Sequence, residues 1–127
     1  MKEKKAVRTD KAPTPAGPYS QGIVYGDLVF VAGQGPLNPA TGKIGETIEE
    51  QTRQVLENIK AILEAAGAGM DDVLKCTVHL ADMGDFARFN QVYKEYFSEP
   101  YPVRTTVGSS LNGILVEIDV IARLPWQ

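Results

Sequence analysis

One segment, Thr47 to Gly67, limits the folds open to this chain more than any other. Ile48, Val55, Leu56, Ile59, Ile62, Leu63 and Ala66 recur at the three- and four-residue spacing of a single helix face. Glu49, Gln51, Arg53, Glu57, Lys60 and Glu64 fall mostly on the opposite side. Thr47 and Glu50 have the spacing of a capping box, and Gly67 supplies the C-terminal stop. A helix with one apolar stripe has to bury it against another layer, and the flanking sequence says what that layer is.

On both sides of the helix the pattern changes to strands. Tyr19–Val24 and Leu28–Ala32 are apolar runs joined by Tyr25-Gly26-Asp27, the pattern of a β-hairpin, and Gly33-Gln34-Gly35-Pro36 predicts a loop after it. Val73 to Leu80 alternates, with Leu74, Cys76, Val78 and Leu80 on one face and Val73, Lys75, Thr77 and His79 on the other, which predicts a half-buried strand. A second helix is expected from an N-cap at Asp85, carrying Phe86, Phe89, Tyr93, Tyr96 and Phe97 as a core stripe and stopping before Pro100. Arg104–Val107 and Ile114–Ala122 complete the strands, with a turn at Asn112-Gly113. The order predicts an α+β fold, one sheet with two helices packed on one face. The other face is left for solvent or for an oligomer.

A chain of 127 residues is one domain, and at this size folding buries roughly two-thirds of the surface of the unfolded chain. Residues 1–12 hold Lys2, Lys4, Lys5, Arg8 and Lys11 and are expected to form a flexible arm, leaving 13–127 as the domain. From Pro13 onward eight basic residues face fourteen acidic ones, a net of −6, which argues against nucleic acid as a partner. No apolar run reaches the length of a membrane span or follows the basic start as in a signal peptide, so a cytoplasmic protein is expected. One cysteine, Cys76, excludes an intrachain disulfide, and one histidine, His79, excludes the usual zinc frameworks. Catalysis would have to rest on Arg, Lys, carboxylates, hydroxyls and backbone groups.

The last strand carries the main anomaly. Val116, Ile118, Val120 and Ala122 form one apolar face, and Glu117 and Asp119 stand on the other between Leu115 and Ile121, roughly 7 Å apart as i and i+2 neighbours. Carboxylates flanked by apolar groups are expected to have raised pKa values and to suit acid/base work, or else to face outward into water and salt bridges. Arg104 has the planar fork for bidentate capture of a carboxylate, or serves a structural ion pair with a partner such as Glu117. Gly33 allows close approach of backbone to a ligand but lies in no phosphate-loop pattern. Cys76 reads as a buried, inert thiol and His79 as a surface or interface histidine.

Several separated motifs resemble the RidA (YjgF) family, in order and in register over about Pro13 to Arg123. They are Gly17-Pro18-Tyr19-Ser20-Gln21-Gly22, Val31-Ala32-Gly33-Gln34, the helix Gln51–Lys60 with Ala65-Ala66-Gly67, Phe86 with Asn90 and Tyr93, Pro102-Val103-Arg104-Thr105-Thr106-Val107, and Val116–Ala122. The resemblance implies a chorismate-mutase-like subunit and a homotrimer with ligand clefts between neighbours. It implies hydrolysis of reactive 2-imino (enamine) acids, such as 2-aminoacrylate and 2-iminobutanoate, to 2-keto acids and ammonia, with neither cofactor nor metal. In that scheme Arg104 clamps the substrate carboxylate and Glu117 activates water. Gly33 and Thr106 contact the ligand through backbone groups, while Tyr19 and Asn90 line the cleft. Two positions depart from many relatives: Thr106 stands where they carry Cys, and Ala32 where they carry Ser. Retention of Arg104 argues for the deaminase branch. A non-catalytic ligand-binding trimer and an endoribonuclease are the alternatives.

Overall fold

The computed structural model describes residues 3–125. In chain order these form β1 (Lys5–Val7), β2 (Gly22–Tyr25), β3 (Leu28–Gln34), α1 (Ile48–Ala66), β4 (Val73–Leu80), α2 (Phe86–Tyr93), β5 (Val103–Gly108) and β6 (Val116–Arg123). All six strands share one sheet in the order β1-β2-β3-β6-β4-β5, antiparallel throughout except for the β4–β5 pair. The two helices pack side by side over one sheet face, as the strand and helix patterns predict. No helix among the described residues is long and apolar enough to cross a membrane.

Helix α1 is the keystone of that layer. Val55, Leu56, Ile59, Ile62 and Leu63 are fully buried against Val29, Cys76, Val78, Val116, Ile118 and Ala122 of the sheet. Burying each such side chain contributes about 1.5–3 kcal/mol. At its start the Thr47 hydroxyl oxygen accepts the Glu50 N–H at 3.1 Å. The Thr47 hydroxyl in turn donates to the Glu50 carboxylate at 3.0 Å, a variation on the expected box. At its end Gly67 adopts φ +92°, and its N–H and that of Ala68 close onto the carbonyls of Glu64 and Leu63. A Cβ at Gly67 would meet nothing within 4 Å, so its φ alone demands glycine. Gly67→Ala is therefore expected to lower stability by about 1–2 kcal/mol, read by urea denaturation at fixed protein concentration.

The polar side of α1 is less simple than its spacing implies. Gln51 and Asn58 are buried. Gln51 donates to the Gly45 carbonyl at 2.8 Å and accepts the Leu115 N–H at 2.8 Å. Asn58 donates to the carbonyls of Gly35 and Leu37. These two amides satisfy loop groups that the sheet leaves unpaired, which is why they tolerate burial.

Four expectations need correction. The flexible arm is a strand over Lys5–Val7, paired with Val24 to Gly22 of β2. Gln21 then holds the following segment, accepting the Thr9 N–H at 2.8 Å and donating to the Pro13 carbonyl at 2.9 Å, with Val7 and Ala12 buried. Met1 and Lys2 of that expected arm, like Trp126 and Gln127 of the domain, lie outside the described residues. Second, Gly33 and Gln34 belong to β3, not to a loop. The register steps from Val31↔Val120 to Gln34↔Ile118, so Ala32 and Gly33 together oppose Asp119 in a β-bulge. Third, a similar slip between Val73 and Lys75 leaves Leu74 46% exposed and buries Val73 instead. Fourth, α2 ends at Tyr93; tight turns carry the chain to Tyr96, and Phe97 follows outside any helix. Its entry is capped earlier than expected, by Asp82, whose carboxylate accepts the Gly84 N–H at 2.8 Å to begin a short 3-10 turn.

Candidate functional site

The register decides where each candidate points, because residues paired across strands share a face. Cys76 pairs with both Arg104 and Val120, and Val78 with both Thr106 and Ile118. Arg104 and Thr106 thus stand on the helix-covered face, at the β5 edge of the sheet. His79 pairs with Glu117 and Val107, and Thr77 with Asp119 and Thr105. Glu117 and Asp119 thus stand on the open face. Within one chain the two residues expected to act on the same substrate are on opposite sides of the sheet.

On the open face Glu117 lies against the β3 bulge. A Cβ built on Gly33 would come within 2.7 Å of Glu117 Oε2, so the carboxylate occupies space that only a glycine leaves free. Tyr19 and Gly33 line one groove together with Ser20, Phe30, Asp119 and Ile121. The Tyr19 hydroxyl accepts the Ala16 N–H at 3.1 Å, which fixes the ring while half of the residue stays exposed. Burial raises the Asp119 carboxyl above its ordinary range, opposed by its neighbours His79 and Lys75. His79 is half-buried and its Nδ1 is 2.7 Å from Ser109 Oγ.

On the covered face a second group gathers around Arg104. Its Nη1 donates to Asn90 Oδ1 at 2.8 Å. Its Cζ lies 5.6, 5.5 and 4.7 Å from the ring centroids of Phe86, Phe89 and Tyr93. The ion pair with Glu117 is not formed, and Arg104 is in none of the salt bridges among the described residues. Thr106 Oγ1 is buried without a hydrogen-bond partner. The Tyr93 hydroxyl is buried near the Cys76 thiol and the Arg104 guanidinium but aligned for a hydrogen bond with neither. Burial pushes the Cys76 thiol up to about 11, in keeping with an inert thiol.

The candidates therefore form two half-sites, Tyr19–Gly33–Glu117 and Asn90–Arg104–Thr106. Among the described residues no group of three His, Cys, Asp or Glu side chains is placed to hold a metal ion. One set of neighbours is not assigned to the site by the sequence reading: the aromatic residues of α2, taken as core, also surround the Arg104 guanidinium. Phe86, at the first turn of that stripe, is 38% exposed and so does not serve the core alone.

The chain is 54% identical to a RutC family protein of Pyrococcus horikoshii, over 94% of this chain and 97% of that one. It is 43% identical to TdcF of Escherichia coli, which carries the name of a reactive intermediate deaminase, over 94% and 96% of the two chains. The crystal structure of that TdcF with bound serine aligns at a TM-score of 0.89, with 42% identity over 94% of this chain and 98% of that one. RidA from an Antarctic Psychrobacter aligns at 0.90, with 43% identity over 94% and 98%. The family model described as Endoribonuclease L-PSP matches residues 9–124. A sheet, two helices and motifs shared over that whole span place the chain in the RidA (YjgF) family.

Proposed function

We propose that the chain hydrolyses reactive 2-imino acids to 2-keto acids and ammonia, in clefts completed by neighbouring copies of itself in a homotrimer. The observation that carries this reading is the guanidinium of Arg104, fixed by Asn90 and three rings yet paired with no carboxylate among the described residues. An arginine kept in this way is suited to a planar carboxylate from outside, bound by two parallel hydrogen bonds. Glu117, on the other sheet face, would come from the adjacent copy. The open face offers Ile23, Phe30, Ile121, Val103 and Val107 for such packing, and Phe30, Val103 and Val107 are exposed in the single chain.

The chemistry needs little else. Arg104 holds the carboxylate and so fixes C2 of the imine. Glu117 accepts a proton from water as its oxygen bonds to C2, and the C=N bond becomes a single bond. The same proton then passes to nitrogen, giving a carbinolamine; its hydroxyl proton follows to nitrogen by way of Glu117 as C=O forms and the C–N bond breaks, so the keto acid and ammonia leave. A positioned acid/base group contributes about 10²- to 10⁴-fold to such a step. Tyr19, Gly33, Asn90 and Thr106 would wall the cleft. The description endoribonuclease, carried by the family model, meets a chain with a net charge of −3 and, in the Arg104 half-site, a cation enclosed by rings.

A coupled assay tests this reading. A pyridoxal-phosphate dehydratase acting on threonine releases the imine, and keto-acid formation is followed with and without the protein, alongside its mass by light scattering. Acceleration by a species of three chains is the expected result. Keto-acid release unchanged by the protein overturns the deaminase, and a monomeric active species overturns the shared cleft.

A further inference from the structure

Helix α2 contributes to the Arg104 half-site in a way that packing does not explain. Phe86, Phe89, Asn90 and Tyr93 project from successive turns of one helix face, and all four touch the same guanidinium. Phe89 and Tyr93 are buried, with rings 5.4 Å apart, and belong to the core. Phe86 does not: it is 38% exposed and stands outside the core cluster. Its position is also a poor one for an aromatic on helix grounds, since the first turn favours acidic groups and Phe has modest helix propensity. What its ring does touch is Arg104, 5.6 Å from centroid to Cζ.

We propose that Phe86 is a positioning residue for carboxylate recognition, closing with Phe89 and Tyr93 an aromatic cage over Arg104. The rings exclude water from around the guanidinium and attract its charge through their quadrupoles. Asn90 occupies Nη1, so the remaining N–H groups are the ones a carboxylate can take as a fork. The cage holds the guanidinium in one orientation before the ligand arrives, and this reduces the ordering cost of binding. The strength of carboxylate capture is thus set by α2, although the arginine itself stands on β5. This inference rests on the reading of Arg104 as a carboxylate clamp.

The test uses Phe86→Leu and Phe86→Tyr in the full chain, with 2-oxobutanoate as binding probe by calorimetry and the coupled assay for turnover. Phe86→Leu keeps an apolar residue at an exposed position, so thermal unfolding should not move. Loss of one wall of the cage that orders the guanidinium is expected to raise both the probe Kd and KM about fivefold, with kcat within twofold. Phe86→Tyr keeps a ring and restores both values. The proposal is overturned if Phe86→Leu leaves Kd and KM unchanged, or if Phe86→Tyr is as impaired as Phe86→Leu. A wild-type protein that binds the probe in a Phe86-dependent way without turnover sinks the deaminase and upholds the cage. Turnover indifferent to Phe86→Leu does the reverse, and a protein that neither binds nor turns over removes both.

Discussion

Arg104→Ala is expected to lower kcat/KM for imino-acid hydrolysis by about 10²- to 10³-fold, the worth of two charge-assisted hydrogen bonds. Folding should be little affected, for a reason visible in the ion-pair pattern. The surface arginines Arg53, Arg88 and Arg123 each neutralise a carboxylate, whereas Arg104 neutralises none among the described residues. Its removal therefore strands no buried negative charge, and the rings it leaves behind already belong mostly to the core. Much of the loss should fall on KM, because the carboxylate is held alike in ground and transition states. A further part should fall on kcat, since an untethered imine no longer presents C2 to the attacking water. Arg104→Lys is expected to recover less than tenfold of the deficit: an ammonium keeps the charge but has no planar fork to offer between Asn90 and the three rings. The coupled dehydratase assay measures both variants, with thermal unfolding as the control for folding. Activity retained within threefold in Arg104→Ala would remove this residue, and the clamp, from the mechanism.

What the sequence makes legible, and what it hides, follows the range of the forces involved. Periodicity and caps are local, so α1 is readable from Thr47 to Gly67, and the β2–β3 hairpin from its turn. Alternation correctly places Glu117 and Asp119 together on one face of β6. Bulges are different. The slips at Ala32-Gly33 and at Leu74 arise from pairing with β6, far along the chain, and a one-residue slip reverses which face a side chain meets. Strand β1 is too short for a pattern, and its anchor, Gln21, lies twelve residues beyond Thr9, which it binds. Site residues are hidden in the same way. The motifs name Arg104 and Glu117 separately, but only the mixed sheet, with β5 parallel to β4, shows that they occupy opposite faces. The aromatic stripe at 86, 89 and 93 reads as core because burial and cation–π stacking ask for the same residues at the same spacing.

Gly33→Ala should act on Glu117 without touching it chemically. Gly33 has no positive φ, so its backbone accepts alanine. The cost is spatial: the new Cβ would stand 2.7 Å from Glu117 Oε2 and 3.0 Å from its carboxyl carbon. Those atoms end a flexible side chain, so the carboxylate swings aside and the strand stays in place. A displacement on the order of 1 Å of a group that must hold water against C2 costs about 10²-fold in rate. Glu117→Gln, which keeps the shape and removes the base, is expected to cost about 10²- to 10⁴-fold. If both changes act through one carboxylate, the double variant should be no slower than Glu117→Gln alone, since effects within one unit do not add. Additive losses would mean that Gly33 serves the reaction by its own route, through the backbone contact to ligand that the family resemblance implies. An unimpaired Gly33→Ala would mean that the position Glu117 takes against the bulge is not the one from which it works.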